Sequence, residues 1–398
     1  MRYFIELSYL GTHFAGSQIQ PGQRTVQGDL ESALSLILRQ PVQVQGSSRT
    51  DAGVHAKHQI FQGEWESDIL ESDLVFKLNR FLKADLAIHR IWAVPSNFHA
   101  RFDAQYRQYQ YFISFQKNPF QQQTSWQYSG KLNLNLMQEA AQFLLGEHDF
   151  QAFSKVKTDV ATFWCRIDLA TWDISETHAI FTIQANRFLR GMVRAIVGTL
   201  VEVGLGKISL PQFQAILENK DRKLAGPSAP ALGLRLTQVG YPEFPPVVRS
   251  ARPTEMVQVR TFFEQYAEEL GIDLGFQGFQ EELTQLPYLY QASLRGDILW
   301  LEQAGELVGI VALKALSDEI AEMKRLFILP QRRGSGWSHV LVEGVENRAR
   351  QFGYKFLKLD TLARLSSAVQ LYEQRGYIRT EPYNVNPEPD ILYYQKIL

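Results

Sequence analysis

The run Tyr241-Pro242-Glu243-Phe244-Pro245-Pro246-Val247-Val248-Arg249-Ser250 constrains this chain more than any other segment. Three prolines within five residues remove backbone donors and hold the chain extended, so neither a helix nor a central strand continues through it. A chain of 398 residues is also too long for one ordinary hydrophobic core. Together these features predict a domain over 1–242, a Pro-rich linker over 243–252 and a second domain over 253–398. With 45% hydrophobic and 21% charged residues the composition is that of globular protein. No run of about 18 apolar residues is present, so neither a transmembrane helix nor a membrane partner is expected.

The N-terminal stretch Met1–Leu7 lacks the layout of a signal peptide, because Glu6 follows almost at once, and it reads as an alternating strand. One cysteine, Cys165, permits no intramolecular disulfide, which fits a reducing compartment and a cytoplasmic location. Residues 1–243 carry 24 basic and 22 acidic side chains, and residues 244–398 carry 17 and 20. A nucleic-acid partner would therefore need a local basic cleft, since neither half is globally basic.

Periodicity gives a coarse order of elements. A strand at 2–9 leads through a loop at 11–24 into a helix at 25–38, with Thr25 as N-cap and Leu30, Leu34, Ile37 and Leu38 on one face. Strands follow at 107–115, 167–174 and 179–185, with helices at 136–145, 188–203 and 210–218. Beyond the prolines, strands at 297–302, 306–315 and 320–328 precede a helix at 334–352, a strand at 355–360, a helix at 365–375 and a strand at 390–397. Mixed α+β is the class this predicts.

The segment Ser48-Arg49-Thr50-Asp51-Ala52-Gly53-Val54-His55-Ala56 packs an arginine, an acid and turn residues together. An isolated Arg-x-Asp-x-Gly would read as a surface turn with a local ion pair. The whole string, however, closely resembles the signature Gly-Arg-Thr-Asp-Ala-Gly-Val-His-Ala of the TruA-type tRNA pseudouridine synthases. Further stretches are similar to that family in the same order: Gly11–Gln20 with Thr25–Glu31, Asn97–Phe102 with Tyr109–Tyr111, Gly146–Phe150 with Phe153-Ser154, Phe188–Arg194 and Ala225–Pro230. The resemblance covers about 1–242. Ser48 replaces the first glycine, Ser17 stands where the family usually has tryptophan, and Ala195 replaces a common asparagine. None of these is a proposed reacting group, although the change at Ser17 bears on RNA contacts.

The resemblance implies the pseudouridine synthase fold, a mainly antiparallel mixed sheet with helices. It also implies isomerisation of uridine in the anticodon arm of tRNA, a homodimer and no cofactor. The reaction breaks a glycosidic bond and rejoins the base through carbon, which calls for a carboxylate that attacks and then leaves. Asp51 matches that nucleophile, and Arg194 is the expected charge partner. Arg49 is expected to grip a phosphate or to help turn the nucleotide outward, with a structural ion pair as the alternative. An extruded uridine needs an aromatic face. Tyr109 matches the family's active-site tyrosine, although Tyr106 lies nearby and Tyr111 shares its strand parity. Lys57, Arg101, Arg107, Arg187 and Arg190 are candidates for phosphate contacts. His55, His58 and His99 lack metal-ligand spacing, so no zinc site is expected.

In the second half, Gln331-Arg332-Arg333-Gly334-Ser335-Gly336 lies between a β-like run and an amphipathic helix. Strand, glycine turn and helix can form an anion site from free first-turn amides, but the run is neither a Walker loop nor a Rossmann fingerprint. Residues 320–340 resemble the coenzyme A motif of the GNAT acetyltransferases, and Ala368–Tyr377 resembles that family's later Ala-x-x-Leu-Tyr-x-x-x-Gly-Phe/Tyr segment. This similarity covers about 253–398 and implies a GNAT α/β domain that uses acetyl-CoA and an amine acceptor of unknown identity. It assigns Gln331–Gly336 to the cofactor and Tyr372 to protonation of the leaving thiolate. Glu322 reads either as a base for the amine or as a solvated strand-edge carboxylate. Ser338 stands where glycine or alanine is common. A synthase joined to a non-catalytic coenzyme A-binding or interaction domain is the alternative reading of the whole chain.

Overall fold

The computed structural model describes residues 1–155 and 161–398, which form two compact units: Met1–Trp92 with Ser96–Glu243, and Phe244–Leu398 with Ala93–Pro95. Both combine helices with mainly antiparallel sheet, the α+β class expected.

The strands of the first unit are β1 (Arg2–Tyr9), β2 (Val44–Gly46), β3 (His55–Glu64), β4 (Leu86–Val94), β5 (Tyr106–Ser114), β6 (Trp126–Gln127), β7 (Gly146–Asp149), β8 (Trp164–Ile174), β9 (His178–Ala185) and β10 (Leu234–Gly240). They form one sheet in the order β4-β1-β3-β10-β5-β9-β8-β7, with β2 beside β3 and β6 beside β5. The β3·β10 and β5·β6 ladders are parallel. Strand β5 buries Arg107, Tyr109, Tyr111 and Ile113 at alternate positions, and β9 does the same with Ala179, Phe181, Ile183 and Ala185. That is the period-two signal the sequence carries. Strand β3 carries no such signal, because it runs through His55, Lys57, His58, Gln59 and Gln62 and still buries most of them.

Helix α1 (Val26–Leu38) starts as expected, with the Thr25 hydroxyl accepting from the Gly28 amide at 3.2 Å. It buries Leu30 and Leu34 and half-buries Ile37 and Leu38. Helices α2 (Glu71–Phe81), α3 (Leu134–Gln142), α4 (Met192–Gly204) and α5 (Leu210–Asn219) complete the unit. The helix predicted from residue 188 begins only at Met192. Gly191 precedes it in the left-handed region at φ 71°, which leaves Phe188–Arg190 as a loop beside the site described below.

In the second unit, strands β11 (Val247–Ser250), β12 (Asp297–Gln303), β13 (Glu306–Ala315), β14 (Ile320–Ile328), β15 (Phe356–Leu362), β16 (Ile378–Arg379) and β17 (Ile391–Ile397) lie in the order β11-β12-β13-β14-β15-β17-β16. The segment read as a linker thus supplies an edge strand. Val247 and Val248 suit a strand, and Arg249 is anchored by buried bonds to Glu255 at 2.7 Å and Glu302 at 2.8 Å. Alternation sorts the sheet's residues onto two faces. Leu299, Leu301, Val311 and Leu313 pack with α8 (Trp337–Gln351) and α9 (Ser366–Gln374), whereas Ile298, Trp300, Ile310 and Ala312 pack with α6 (Met256–Leu270) and α7 (Phe279–Thr284). Among the described residues no helix is long and apolar enough to cross a membrane.

Candidate active sites

Asp51 sits in the turn between β2 and β3, where the Val54 amide donates to its carbonyl at 3.1 Å. The loop around it is braced from several sides. Ser17, buried beneath it, accepts from the Thr50 amide at 2.9 Å and donates its own amide to the Thr50 carbonyl at 3.1 Å. The Thr50 hydroxyl bonds to that of Tyr9 at 2.8 Å. Gln59 accepts from the Ser47 and Ser48 hydroxyls and donates to the Ser48 carbonyl at 2.7 Å. The sequence singled out Ser17 only for its bearing on RNA contacts, and Gln59 not at all. A buried polar side chain that holds backbone carries no spacing signature.

Two guanidinium groups face the Asp51 carboxylate. Arg194 Nη1 lies 3.8 Å from one oxygen and Arg190 Nε 3.9 Å from the other. At those separations the attraction is electrostatic, and both oxygens keep their hydrogen-bonding capacity. Arg194 is aimed by its Nε, which donates to the Ala229 carbonyl at 2.7 Å, while the Ala229 amide returns a bond to the Arg194 carbonyl at 2.9 Å. The Ala225–Pro230 motif therefore orients an arginine. Arg190, expected at a phosphate, stands beside Asp51 with its side chain 64% exposed. Arg49 is exposed, and its side chain makes no ion pair or hydrogen bond among the described residues, so the local Arg49–Asp51 pair does not form.

Tyr109 lies on β5, opposite Leu236 of β10, which in turn faces Ala56 of β3. Its ring packs perpendicular to that of Phe188, with centroids 5.2 Å apart. Burial pushes its phenol up to about 12, and the Ser48 side chain and the Asp51 charge lie within its electrostatic reach. Tyr111 shares the parity of Tyr109 but is fully enclosed and donates to the Pro230 carbonyl at 2.8 Å. Parity could not separate the two tyrosines, and their hydroxyl surroundings do.

Arg107 corrects the expectation of a phosphate contact. It is 7% exposed, and its guanidinium donates to four carbonyls: Ala104 at 2.9 Å, Asn186 at 3.1 Å, Ser47 at 2.9 Å and Arg101 at 2.6 Å. Arg107 shares the strand parity of Tyr109, and the alternation of β5 turns it inward. Lys57 and Arg101 are exposed, and Arg187 is half-buried. His55 accepts from the Gly11 amide and bonds the Leu232 carbonyl, His58 accepts from the Val239 amide, and His99 accepts from the Arg101 amide.

In the second unit, β14 and β15 pair in parallel only over Ile320–Glu322 and Phe356–Lys358. The turn after β14 carries Gly334 at φ 81° and Gly336 at φ 76°, and α8 begins at Trp337, three residues later than predicted. Among the described residues the amides of Gly334, Ser335, Gly336, Trp337 and Ser338 donate to no acceptor. Five free donors at a helix start fit a pyrophosphate group. Gln331 is exposed. Arg332 and Arg333 are committed to Glu306 and Glu269, each at 2.6 Å, so the anion site is built from backbone.

Tyr372 on α9 is 6% exposed, with ring centroids of Tyr377 and Tyr394 at 5.8 and 6.3 Å. Burial pushes its phenol well above its ordinary value. Glu322 is buried, accepts from the Tyr383 hydroxyl at 3.0 Å and lies 3.8 Å from Lys324 Nζ, so the solvated alternative does not hold. Burial lowers the affinity of that Lys324 amine for its proton.

The family described as tRNA pseudouridine synthase matches residues 7–103 and 140–242, and the acetyltransferase (GNAT) family matches residues 260–377. The tRNA pseudouridine synthase A of Parabacteroides distasonis is 47% identical over 245 residues, 61% of this chain and 96% of that protein. Its counterpart in Bacteroides fragilis is 46% identical over 244 residues, 61% and 97% of the two chains. The PaiA N-acetyltransferase of Thermoplasma acidophilum, solved in complex with coenzyme A, is 14% identical with a TM-score of 0.34, over 39% of this chain and 100% of that one.

Proposed function

We propose that this chain, which belongs to the tRNA pseudouridine synthase family and carries a GNAT acetyltransferase-family domain after it, isomerises uridine to pseudouridine in the anticodon arm of tRNA with Asp51 as nucleophile. The observation that carries this reading is the Asp51 carboxylate, set on a braced turn and faced by Arg190 and Arg194. The two cations can stabilise the negative charge that the carboxylate sheds and regains as the base detaches and rejoins. Tyr109, packed perpendicular to Phe188, offers the extruded uracil a ring face. Arg49, unpaired among the described residues, together with Lys57 and Arg101, supplies positive charge for the RNA backbone. No oxidant or reductant is consumed, so residues 1–242 act without a cofactor. The reading includes a homodimer in the cytoplasm.

For residues 253–398, with the edge strand that 243–252 adds to their sheet, we infer an acetyl-CoA-dependent N-acetyltransferase. The free amides of Gly334–Ser338 would hold the pyrophosphate of acetyl-CoA, which supplies an activated acetyl group. Tyr372 keeps its phenolic proton available at the oxygen, as a donor to a thiolate requires. Glu322, whose second oxygen lies 3.8 Å from Lys324 Nζ, would act as the base for the amine.

The deciding experiment is tritium release, or carbodiimide mapping, on unmodified tRNA with the wild type and Asp51→Ala. Loss of product in the variant is expected, and undiminished product would remove the assignment.

A further inference from the structure

Phe102 is 73% exposed, although the backbone that carries it is held by many hydrogen bonds. Its loop is fixed at every residue around it. The His99 amide donates to Asp103 Oδ2 at 2.6 Å, and the Asp103 amide returns a bond to the His99 carbonyl at 3.1 Å. The Ala100 amide donates to Gln62 at 2.6 Å, and the Ala100 carbonyl accepts from the Tyr241 hydroxyl at 2.6 Å. The Arg101 amide donates to His99 Nδ1 at 3.0 Å. Such a network fixes the ring's position without burying it. Exposing the ring forgoes the stabilisation that burial would give it, and a ring held in place by its loop offers a ready surface to a ligand.

The ring's surroundings identify that partner. The His99 imidazole lies 4.4 Å from the Phe102 centroid, and the Arg101 guanidinium is 5.5 Å from it. An apolar protein interface would favour apolar neighbours. An exposed ring with an imidazole and a guanidinium close by favours a flat, polar, anion-bearing ligand such as an unstacked nucleobase with its phosphate. The loop also stands beside the loop that carries Asp51. Arg107 Nη2 alone bonds both the Arg101 carbonyl at 2.6 Å and the Ser47 carbonyl at 2.9 Å, so those two loops are held against one nitrogen.

We propose that Phe102, with His99 and Arg101, forms a stacking platform for a second, unpaired tRNA base next to the uridine that Asp51 attacks. The proposal rests on the synthase reading and adds a base-binding position to it. Stacking is sequence-tolerant and uncharged, whereas Arg101 contributes a phosphate contact. The two residues therefore leave different signatures in the salt dependence of binding.

The test measures KM, kcat and the salt dependence of Kd on an unmodified tRNA transcript. Phe102→Ala and Phe102→Leu should raise KM roughly tenfold at near-normal kcat with an unchanged salt slope. Phe102→Trp should retain the wild-type KM and show extra fluorescence quenching by tRNA relative to the wild type. Arg101→Ala should lower the salt slope by about one. An unchanged KM in Phe102→Ala, an equal KM in the Leu and Trp variants, or a change of oligomeric mass in Phe102→Ala would overturn the proposal. Absence of pseudouridine formation by the wild type would instead indict the synthase reading on which it rests.

Discussion

Arg194 Nη1 stands 3.8 Å from Asp51 Oδ2 while the same side chain's Nε donates to the Ala229 carbonyl at 2.7 Å. One planar fork serves both tasks, and a lysine ammonium cannot. Arg194→Lys should fold normally and lower kcat for pseudouridine formation about 100-fold, with little change in KM, because the ammonium keeps the charge but not the aim that sets it against the carboxylate in the transition state. Arg190→Ala should cost less, near tenfold, since that side chain is largely solvated. Single-turnover tritium release measures both. Equal losses in the two variants would show that the bond to Ala229 confers nothing.

Burial raises the Tyr109 phenol from 10.0 to about 12, so the folded state holds that proton more tightly than the unfolded state. The resulting stabilisation is complete below pH 10 and disappears as pH rises toward 12. The stability difference between wild type and Tyr109→Phe should therefore be flat up to pH 10 and shrink above it, as measured by urea unfolding. A ring face without a titrating role also predicts that Tyr109→Phe keeps the wild-type shape of the pH–rate profile between pH 6 and 9. Tyr109→Ala should lose most activity.

What the sequence made legible follows from what leaves a pattern in it. Strands β5 and β9 alternate cleanly, α1 announces itself through Thr25, and the motifs flagged both Asp51 and Arg194. The position of Arg190 beside Asp51 was hidden because it depends on Gly191 ending a loop that periodicity had merged into α4. The burial of Arg107 was masked by a rule of thumb that exposes arginine, whereas four carbonyls satisfy it inside. Strand β11 escaped because prolines precede it, yet an edge strand needs only one paired side. Backbone donors such as those of Gly334–Ser338 were foreseeable from glycine spacing, but the capture of Arg332 and Arg333 by distant glutamates was not.

Arg107→Met should keep the approximate volume and remove the donors to the Ala104, Asn186, Ser47 and Arg101 carbonyls. Leaving several buried acceptors unmatched should destabilise the first domain by about 2–4 kcal/mol. A lower urea midpoint at unchanged m-value would register it. Arg107→Lys restores charge and one or two bonds, and should recover part of the loss. A midpoint unaffected by the Met substitution would mean that water replaces the guanidinium at all four carbonyls.

Binding and turnover in the second domain should separate by residue. At φ 76° Gly336 occupies backbone space that a β-branched side chain enters only with strain of about 1–2 kcal/mol. Gly336→Val should therefore tilt the free amides of the turn and weaken acetyl-CoA binding at least tenfold by calorimetry. Tyr372 packs among Tyr377 and Tyr394, and Tyr372→Phe removes only its oxygen. That variant should bind acetyl-CoA as the wild type does while thiol release with amine acceptors falls about 10- to 1,000-fold. Tight binding with no acetyl transfer by the wild type to polyamines, amino acids or tRNA would instead favour a domain that senses coenzyme A. Gly336→Val would then disturb binding, and Tyr372→Phe would have no phenotype at all.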